Sequence, residues 1–395
     1  MKIFGKEIID EKTINQLSNC IGEGDRGVLT ADGHYGYAHP IGGAVAYRNN
    51  ISLSGVGFDI GCGNKAVRTN ILAADLDTSK VMDEIFRKIS FGVGRTNKKR
   101  IDHEVLEKIE KADFTPQRDL VSLAEEQLGT VGSGNHFVDL FKDEKGYVWV
   151  GVHFGSRGFG HKTATGFIAM SQGLTFKDKG VEGPMDGSPI LFDANSAIGS
   201  DYISAMTLAG EYAYAGRDVV VNQVLSILGG EELESVHNHH NFAWRENHGG
   251  IDYWVVRKGC TPAFPGQRGF IGSTMADISV IVEGVDSIES QEGLYSTVHG
   301  AGRAMSRRQA AGKRKWSKGR QIQLTKGLVD FDQVKNEMKK LGIELRGAGA
   351  DEAPACYKKL EEVLKYQGNT IKIIHRLTPI GVAMAGEEVK DPYKD

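Results

Sequence analysis

Glycine constrains the fold of this chain more than any other residue type, because it permits tight turns but weakens helices and strands. The 395 residues include 51 glycines and nine prolines, which is roughly twice the usual glycine share of about 7%. No Gly-X-Y period runs through the sequence, so a collagen-like chain is excluded. We therefore expect the glycines at local turns and where the backbone approaches a ligand.

Many of the glycines stand beside histidines in short stretches of unusual composition. These stretches are TADGHYGYAHPIGG (30–43), GVGFDIGCGNKA (55–66), GSGNHF (132–137), GVHFGSRGFGHK (151–162), VHNHHNFAW (236–244) and STVHGAGRAMSRR (296–308). The small residues let the backbone turn sharply, so that neighbouring polar side chains can converge. A site built from several of these stretches is the expectation.

The second stretch places a carboxylate and a thiol three residues apart, at Asp59 and Cys62. Taken alone, this pair is more often a turn aspartate beside a buried cysteine than a metal site. His136 and His153 each lie near the end of a predicted strand, and each is flanked by glycine. These four side chains together predict a metal site.

Two further histidines, His237 and His240, are spaced so that one face of a helix would present both. One thiolate, one carboxylate and several imidazoles suit Mn²⁺, Fe²⁺, Co²⁺ or Zn²⁺ better than Ca²⁺ or Mg²⁺. The closed Cys-rich set of a structural zinc site is absent from the sequence. The sequence therefore predicts a catalytic metal site with open positions, in which a thiolate can bridge two ions.

The stretch HGAGR (299–303) predicts a nucleophile. His299 is followed by Gly-Ala-Gly and then Arg303, and histidine can carry a phosphoryl or nucleotidyl group. Positions 303–320 hold eight Lys or Arg residues and no acid, in a chain of net charge −3. The run is either a solvated basic face or a surface that contacts a phosphate backbone, and its start beside His299 favours the second. Candidates for holding phosphates are Arg257, Lys258, Arg303, Arg307 and Arg308.

Two nucleotide motifs are near misses. Gly22, Gly24 and Gly27 form G-x-G-x-x-G, but they follow a helix-like segment instead of a strand. Residues 155–163 resemble a P-loop in which His161 separates the last glycine from the lysine. Nucleotide binding by either route is excluded.

Helix-like and strand-like segments do not alternate regularly, which favours an α+β fold over a doubly wound sheet. Helices are predicted over 77–90, 201–228, 330–341 and 354–366, and strands over Tyr147–Val152, Tyr253–Val256, Ile278–Val282 and Ile371–Ile374. We expect residues 1–395 to form a single compact catalytic domain.

Four widely spaced cysteines, Cys20, Cys62, Cys260 and Cys356, favour a reducing compartment over a disulfide framework. The N-terminus lacks the apolar core of a signal peptide, and no apolar run reaches the ~18 residues of a membrane span. The expected location is the cytoplasm, with no membrane partner.

The motifs together resemble the RtcB-type RNA ligases. DGHYGYAHPIGG, DIGCG, GNHF, HFGSRGFG, HHNFA, RKG-x-TPAF, HGAGR-x-x-SR and DEAPACYK occur in the family's order over roughly residues 25–385. The resemblance implies a mixed-sheet fold around a dinuclear metal pocket. It also implies an enzyme that uses GTP and two Mn²⁺ ions, and that joins an RNA 3′-phosphate or 2′,3′-cyclic phosphate to a 5′-hydroxyl. An archease-like activator is a further partner that the resemblance allows.

The resemblance also assigns roles to residues. It implies that Cys62 bridges two Mn²⁺ ions, and that His299 takes GMP from GTP. The other metal ligands would be Asp59 and His136 on one ion, and His153 and His240 on the other. His237 and His239 would then lie outside the ligand set. The implied nucleotide-site residues are Asp32, Asn135, Asp139, Ser273, Gly300, Gly302 and Arg303.

The sequence departs from the family pattern in a few places, which suggests a divergent, shorter member. Asp139 stands where the family commonly has Glu, and Met384 and Ala385 stand where a nucleotide-contacting Lys is usual. Gly216 replaces an Asn that often precedes the following arginine. These departures weaken the expectation of a strict GTP preference.

Two alternatives to a ligase stay open from the sequence. One is a Mn²⁺-dependent 2′,3′-cyclic phosphodiesterase or RNA end-processing hydrolase, in which His299 only clamps phosphate. The other is an RNA-binding sensor with weak catalysis, which would not need the full set of metal ligands. A covalent GMP adduct separates the ligase from both.

Overall fold

Two β-sheets, joined by helices, form the framework of the chain in a computed structural model that describes residues 1–181, 183–317 and 320–391. The strands are β1 (Lys2–Ile3), β2 (Arg26–His34), β3 (Ile41–Tyr47), β4 (Asn50–Ser52), β5 (Gly63–Leu72), β6 (Phe137–Lys142), β7 (Tyr147–Phe154), β8 (Leu191–Asp193), β9 (Glu232–His239), β10 (Asn241–His248), β11 (Ile251–Lys258), β12 (Cys260–Pro262), β13 (Arg268–Ile271), β14 (Ser279–Gly284), β15 (Ser296–Val298), β16 (Arg314–Ser317), β17 (Arg320–Gln323), β18 (Glu344–Arg346) and β19 (Ile371–Met384). The α-helices are α1 (Glu11–Ser18), α2 (Leu53–Val56), α3 (Thr78–Lys88), α4 (Glu104–Glu110), α5 (Thr115–Arg118), α6 (Val121–Gln127), α7 (Arg157–Ser171), α8 (Ala197–Leu228), α9 (Ile288–Glu292), α10 (Arg307–Ala311), α11 (Phe331–Lys340) and α12 (Leu360–Tyr366).

The larger sheet has the strand order β13-β14-β19-β6-β7-β5-β9, with β18 added beside β19. The smaller has the order β1-β2-β3-β11-β10. Most pairs are antiparallel, while β1–β2 and β18–β19 are parallel. The predicted mixed-sheet α+β fold is therefore confirmed.

Helix α8 packs along the back of the larger sheet and against α7. Ser196 caps its start by accepting a hydrogen bond from the Gly199 amide, and Gly229 ends it in a left-handed conformation. The helix buries apolar side chains such as Tyr202, Met206 and Val220. This burial fixes the position of the strands that carry the site.

The predicted helices agree with α3, α8 and α11 to within a few residues. The helix predicted over 354–366 is confirmed only in its second half, since Pro354–Cys356 forms a 3₁₀ turn and α12 covers Leu360–Tyr366. Between them the backbone pairs with the HGAGR loop, where the Lys358 amide donates to the Gly302 carbonyl at 3.0 Å. Tertiary pairing thus replaces the helical turn.

The strand predicted over Ile371–Ile374 is much longer and continues to Met384. Pro379 interrupts the ladder with β6, and the register shifts between Pro379 and Gly381. This irregularity hid the second half of the strand from the sequence pattern. Among the described residues, no helix combines the length and apolar character that a membrane crossing requires.

The aromatic cluster around Phe167 in α7 gives a test of the core. Phe167 is fully buried, and its ring centroid lies 4.9 Å from that of Phe114 and 5.2 Å from that of Tyr202. We expect Phe167→Ala to lower the free energy of unfolding by about 3–5 kcal/mol in urea denaturation, because it leaves a cavity. Ile288→Ala, at a side chain 76% exposed, should change it by less than about 0.5 kcal/mol. Equal effects of the two variants would contradict this core assignment.

Candidate metal and nucleotide site

Strand pairing brings the predicted metal ligands to one edge of the larger sheet. Strands β6, β7, β5 and β9 are neighbours, and His153 in β7 faces Phe137 at the start of β6 and Asn64 at the start of β5. At the end of β9, His239 faces Gly63. Because these pairs are antiparallel, strand starts and strand ends meet at the same edge. Residues just outside those ends are therefore close together in space.

The converging atoms form two groups that share the Cys62 sulfur. One consists of Cys62, His153 and His240, and the other of Asp59, Cys62 and His136, with the ligand atoms of each group within 4.8 Å of one another. The Cys62 Sγ lies 3.3 Å from the His153 Nε2 and 3.7 Å from the His136 Nε2. These short distances between lone-pair atoms are those of a cluster organised for cations.

Backbone carbonyls fix the orientation of two of the rings. The Nδ1 of His136 lies 2.9 Å from the Val131 carbonyl, and the Nδ1 of His153 lies 3.2 Å from the Asn135 carbonyl. A carbonyl only accepts, so Nδ1 carries a proton in both rings and Nε2 is the atom that faces the cluster. This is the usual arrangement around metal-binding histidines.

The protonation of the cluster also suits a metal. Burial lowers the pKa values of His153 and His240 well below their usual range, so both rings are neutral ligands. Burial opposes ionisation of Asp59, but its hydrogen bond with His136 and the nearby charges hold its pKa below the usual value. Burial, with the charge of Asp59, raises the pKa of the Cys62 thiol, so a bound metal would have to displace its proton.

These residues fit a dinuclear centre. The donor set of one sulfur, one carboxylate and three imidazoles suits borderline transition metals such as Mn²⁺, Fe²⁺, Co²⁺ or Zn²⁺. The buried Nδ1 of His240 has no hydrogen-bond partner among the described residues. Its Nε2 lies 3.3 Å from the His153 Nε2, close enough for one cation to bind both rings.

His299 lies beside this cluster and is held by a buried carboxylate. Its Nδ1 is 2.7 Å from the Asp32 Oδ2, and its backbone amide donates to the same oxygen at 3.0 Å. The hydroxyl of Thr30 donates to the other oxygen of Asp32 at 2.6 Å. In the neutral ring, Nδ1 then carries the proton and Nε2 keeps the lone pair, which is the orientation that a histidine nucleophile needs.

The environment keeps Asp32 charged and His299 close to the cluster. Burial alone would raise the pKa of the Asp32 carboxyl, yet the charge and hydrogen bonds of His299 and the Thr30 hydroxyl hold it below the usual value. The ring of His299 lies 4.8 Å from that of His240, centroid to centroid. A group bonded to His299 would therefore adjoin the candidate metal ligands.

Two glycines are required for this geometry. Gly302 has φ 74°, and a Cβ there would overlap the backbone of Asp32. A Cβ on Gly155 would overlap the carboxylate of Asp59. The glycine excess therefore serves the close approach of backbone to the carboxylates of the site, as the sequence predicted for these stretches.

A cavity of about 800 Å³ contains the cluster, His299 and most of the predicted nucleotide-site residues. The predicted residues that line it are Asn135, Asp139, Ser273, Gly300, Gly302 and Arg303. Asp32 lies beneath the lining, behind His299. The structure thus brings the predicted residues to one place.

One end of the cavity is less polar than the family pattern suggests. Met384 lines it together with Val382 and Asp139. Burial raises the pKa of Asp139 well above its usual value, although the Ala383 amide donates to it. Burial at this end of the cavity thus disfavours the charged form of the Asp139 carboxyl.

The arginines after His299 are anchored by acids. Arg303 donates to both oxygens of Glu352 at 3.0 Å and to the Tyr357 hydroxyl at 2.8 Å. Arg307 donates to Asp351 at 2.9 Å and also pairs with Glu352. Both arginines line the cavity, and the acids hold their side chains in place.

Three sequence predictions are corrected here. Arg257 is fully buried and pairs with Glu246 at 2.6 Å, so it does not hold a phosphate. The Lys258 ammonium donates to the carbonyls of Tyr37 and Ser54 and lines a separate small cavity.

The helical face predicted for His237 and His240 is wrong because His237 lies in strand β9. Strand alternation there turns His237 and His239 toward α8, where both contact Arg217.

Arg157 is a site residue that the sequence reasoning missed. It lines the cavity beside Asp59 at the first position of α7, and its φ of 54° is unusual for a side-chain-bearing residue. Its buried Nε has no hydrogen-bond partner among the described residues. A half-buried arginine beside the cluster, held in an unusual backbone conformation, suits an anionic ligand. Its position after His153 in a glycine-rich stretch was the only signal in the sequence.

The basic run leads away from the cavity along α10 and an antiparallel ribbon of β16 and β17. Arg308, Lys313 and Lys315 are exposed, whereas Arg314 pairs with Glu387 at 2.7 Å. Lys318, another cation of the run, lies outside the described residues. Along the chain, these exposed cations follow Arg303 and Arg307, which line the cavity with His299.

Comparison with known proteins agrees with this geometry. A family model described as tRNA-splicing ligase RtcB matches residues 15–120 and 110–385. A tRNA-splicing ligase RtcB from Archaeoglobus fulgidus is 30% identical over 460 aligned positions, covering 95% of this chain and 92% of that protein. An RNA-splicing ligase RtcB from Escherichia coli K12 is 29% identical, covering 88% of this chain and 87% of that protein.

The fold and the site are those of an enzyme. The chain belongs to the RtcB family of ligases.

Removal of the shared sulfur tests the dinuclear arrangement. Co²⁺ bound to thiolate gives a near-ultraviolet charge-transfer band, so titration of the metal-free protein with Co²⁺ should show this band and two bound ions. We expect Cys62→Ser to abolish the band and to weaken both ions, because Cys62 belongs to both groups. Cys356→Ser, at a buried thiol that belongs to neither group, should leave the titration unchanged. Retention of the band in Cys62→Ser would contradict the assignment.

Proposed function

We propose that this enzyme is a GTP- and Mn²⁺-dependent RNA ligase that joins a 3′-phosphate or 2′,3′-cyclic phosphate end to a 5′-hydroxyl. The observation that carries the proposal is the contact between Asp32 and His299 at 2.7 Å, beside the cation cluster. It orients an imidazole as a nucleophile where phosphate charge can be neutralised. The names of the RtcB relatives support RNA as the substrate.

The first step would be attack of the His299 Nε2 on the α-phosphorus of GTP. A P–N bond forms, the bond from the α-phosphorus to the bridging oxygen breaks, and pyrophosphate leaves. Asp32 would keep the Nδ1 proton in place and stabilise the positive charge that develops on the ring. When bound, the Mn²⁺ ions would supply positive charge that stabilises the negative charge developing on phosphate oxygens.

The next two steps would transfer GMP and then expel it. An oxygen of the RNA 3′-phosphate attacks the phosphorus of the His–GMP, the P–N bond breaks, and His299 leaves as the neutral ring. The RNA 5′-hydroxyl then attacks the activated 3′-phosphorus, GMP departs, and the hydroxyl proton passes to solvent. A cyclic phosphate would first be hydrolysed to the 3′-phosphate. Positioning and charge neutralisation account for most of such catalysis.

The residues around the cavity would divide this work. The proposed metal ligands are Asp59, Cys62, His136, His153 and His240, and the proposed nucleotide contacts are Asn135, Asp139, Ser273, Gly300, Gly302 and Arg303. Arg157 would hold a phosphate beside the metals. Because Met384 offers no hydrogen bond to a base, we propose a looser preference for GTP over other triphosphates than in family members with a lysine there.

The wider setting of the reaction is proposed from the same features. We take residues 1–395 as one catalytic domain, since the cavity is lined by residues from His34 to Asp391. Four free cysteines support a reducing location such as the cytoplasm. Both RNA repair and tRNA splicing suit this chemistry, and an archease-like activator stays a prediction of the family resemblance.

The covalent intermediate is the direct test of the nucleophile. Incubation with radiolabelled GTP and Mn²⁺ should label the wild-type protein, and His299→Ala should abolish the label. Asp32→Asn should slow labelling by roughly 10²–10⁴-fold, because the amide can hold the wrong tautomer. His375→Ala, in strand β19 beside Glu144, should label normally. Opening of a cyclic phosphate without GTP, with no labelled protein, would favour the phosphodiesterase instead.

The exposed lysines at the β16–β17 ribbon should contribute to RNA affinity by contacting phosphates of the RNA backbone. Replacing Lys313 and Lys315 by Gln should weaken binding of RNAs of different sequence alike, and should reduce the slope of log affinity against log salt by about 2. The matched control replaces Lys339 and Lys340, exposed at the end of α11, and should leave the slope unchanged. An unchanged slope in the ribbon variant would mean that these lysines form only a solvated face.

A further inference from the structure

Arg217 is a fully buried arginine of α8 that lies directly behind the metal cluster. Burial lowers its pKa to about 10, so it is still a cation at neutral pH. All three guanidinium nitrogens have hydrogen-bond partners. The proposed reaction steps assign it no role.

One nitrogen joins two backbone segments that carry metal-ligand candidates, the turn before β5 and the end of β7. The Nη1 of Arg217 donates to the Gly61 carbonyl at 2.9 Å and to the Phe154 carbonyl at 2.6 Å. Gly61 immediately precedes Cys62, and Phe154 immediately follows His153. The arginine thus clamps the backbone next to two ligands that come from different parts of the chain.

The other nitrogens connect this clamp to two histidines. The Nε donates to the His237 Nε2 at 2.9 Å, and the Nη2 lies 3.0 Å from the His239 Nδ1. Since a guanidinium only donates, the His237 Nε2 must accept, while the His239 Nδ1 also lies 2.9 Å from the Gly61 carbonyl. The Nδ1 of His237 lies 3.4 Å from Asp218, which also pairs with Lys65 at 2.8 Å. This network holds the guanidinium in one orientation.

The electrostatics of Arg217 differ from those of Arg257, another fully buried arginine. Arg257 is paired with Glu246 at 2.6 Å, whereas no described carboxylate oxygen lies within 4 Å of Arg217. A buried cation without a paired anion is costly, and an apolar side chain would pack at lower cost. The acidic groups that favour its charge are Tyr214, Cys62, Asp218 and Asp59. Its hydrogen bonds to the Gly61 and Phe154 carbonyls and its contacts with two histidines hold this cation in place behind the cluster.

We propose that Arg217 is a positioning residue of the metal centre, because its clamp on the Gly61 and Phe154 carbonyls sets the spacing of Cys62 and His153. The inference rests on the proposed use of metal, but not on GTP or RNA. It predicts that Arg217 controls metal affinity and ligand geometry while touching neither substrate nor metal.

The test is titration of the metal-free protein with Co²⁺, without nucleotide or RNA, followed by absorption. Arg217→Lys keeps the positive charge but loses the planar guanidinium that reaches several acceptors at once, and Arg217→Met loses both. We expect affinity to fall by roughly 10–100-fold, as for other groups that orient metal ligands, with Arg217→Met weaker than Arg217→Lys. The cobalt–thiolate band should also shift, because the angle at Cys62 changes. Arg257→Lys, the same change at an equally buried arginine, should retain both affinity and spectrum.

Near-ultraviolet circular dichroism checks that each variant is folded, and if Arg217→Met does not fold, Arg217→Lys decides the question. A folded variant with wild-type affinity and spectrum would overturn the positioning role and leave the ligase proposal intact. An equal loss in Arg257→Lys would also overturn it, since the effect would then be one of general stability. A wild-type protein that binds no Co²⁺ would overturn the proposed metal site, and this inference with it.

Discussion

The structure of the site depends on the antiparallel pairing of four neighbouring strands, β6, β7, β5 and β9. This pairing brings the start of two strands and the end of the other two to a single edge. The pairing thereby brings together side chains that are up to 181 residues apart in the sequence, from Asp59 to His240. They form two groups of candidate metal ligands that share Cys62. A sheet is rigid, so the cluster can stay organised even though several of its donors repel one another without a cation.

The second component of the site comes from the smaller sheet. Asp32 lies in β2, and His299 follows β15, whose partner β12 is tied to the cluster because the Cys260 amide donates to the His240 carbonyl. The oriented imidazole and the cation positions are thus carried by separate frameworks that meet at the cavity. Phosphoryl transfer needs both parts, a nucleophile held in one tautomer and positive charge at the phosphate. These two frameworks meet at the cavity, where His299 lies beside the candidate metal ligands.

Sequence reasoning found residues whose signal is local and missed those whose role depends on tertiary packing. Cys62 and His299 stood out because glycines surround them, and the structure shows why at Gly155 and Gly302, where a side chain would overlap Asp59 or Asp32. Arg257 looked like a phosphate ligand, yet its partner Glu246 lies on the adjacent strand β10. Likewise, Arg157 in the stretch 151–162 and Arg217 after Gly216 received no role from the sequence, because their positions depend on the starting turn of α7 and on the packing of α8 against β5 and β7. The strand nature of β9 was hidden by a histidine spacing that also fits a helix.

The central claim is that this cavity joins RNA ends with retention of the 3′-terminal phosphate. The most direct measurement uses an RNA with a ³²P-labelled 3′-phosphate and a second RNA with a 5′-hydroxyl, incubated with the enzyme, GTP and Mn²⁺. The account predicts a joined product in which the label is protected from phosphatase, with product formation lost when GTP is omitted. Label that stays accessible to phosphatase on an unjoined strand, with GTP and Mn²⁺ present, would contradict it.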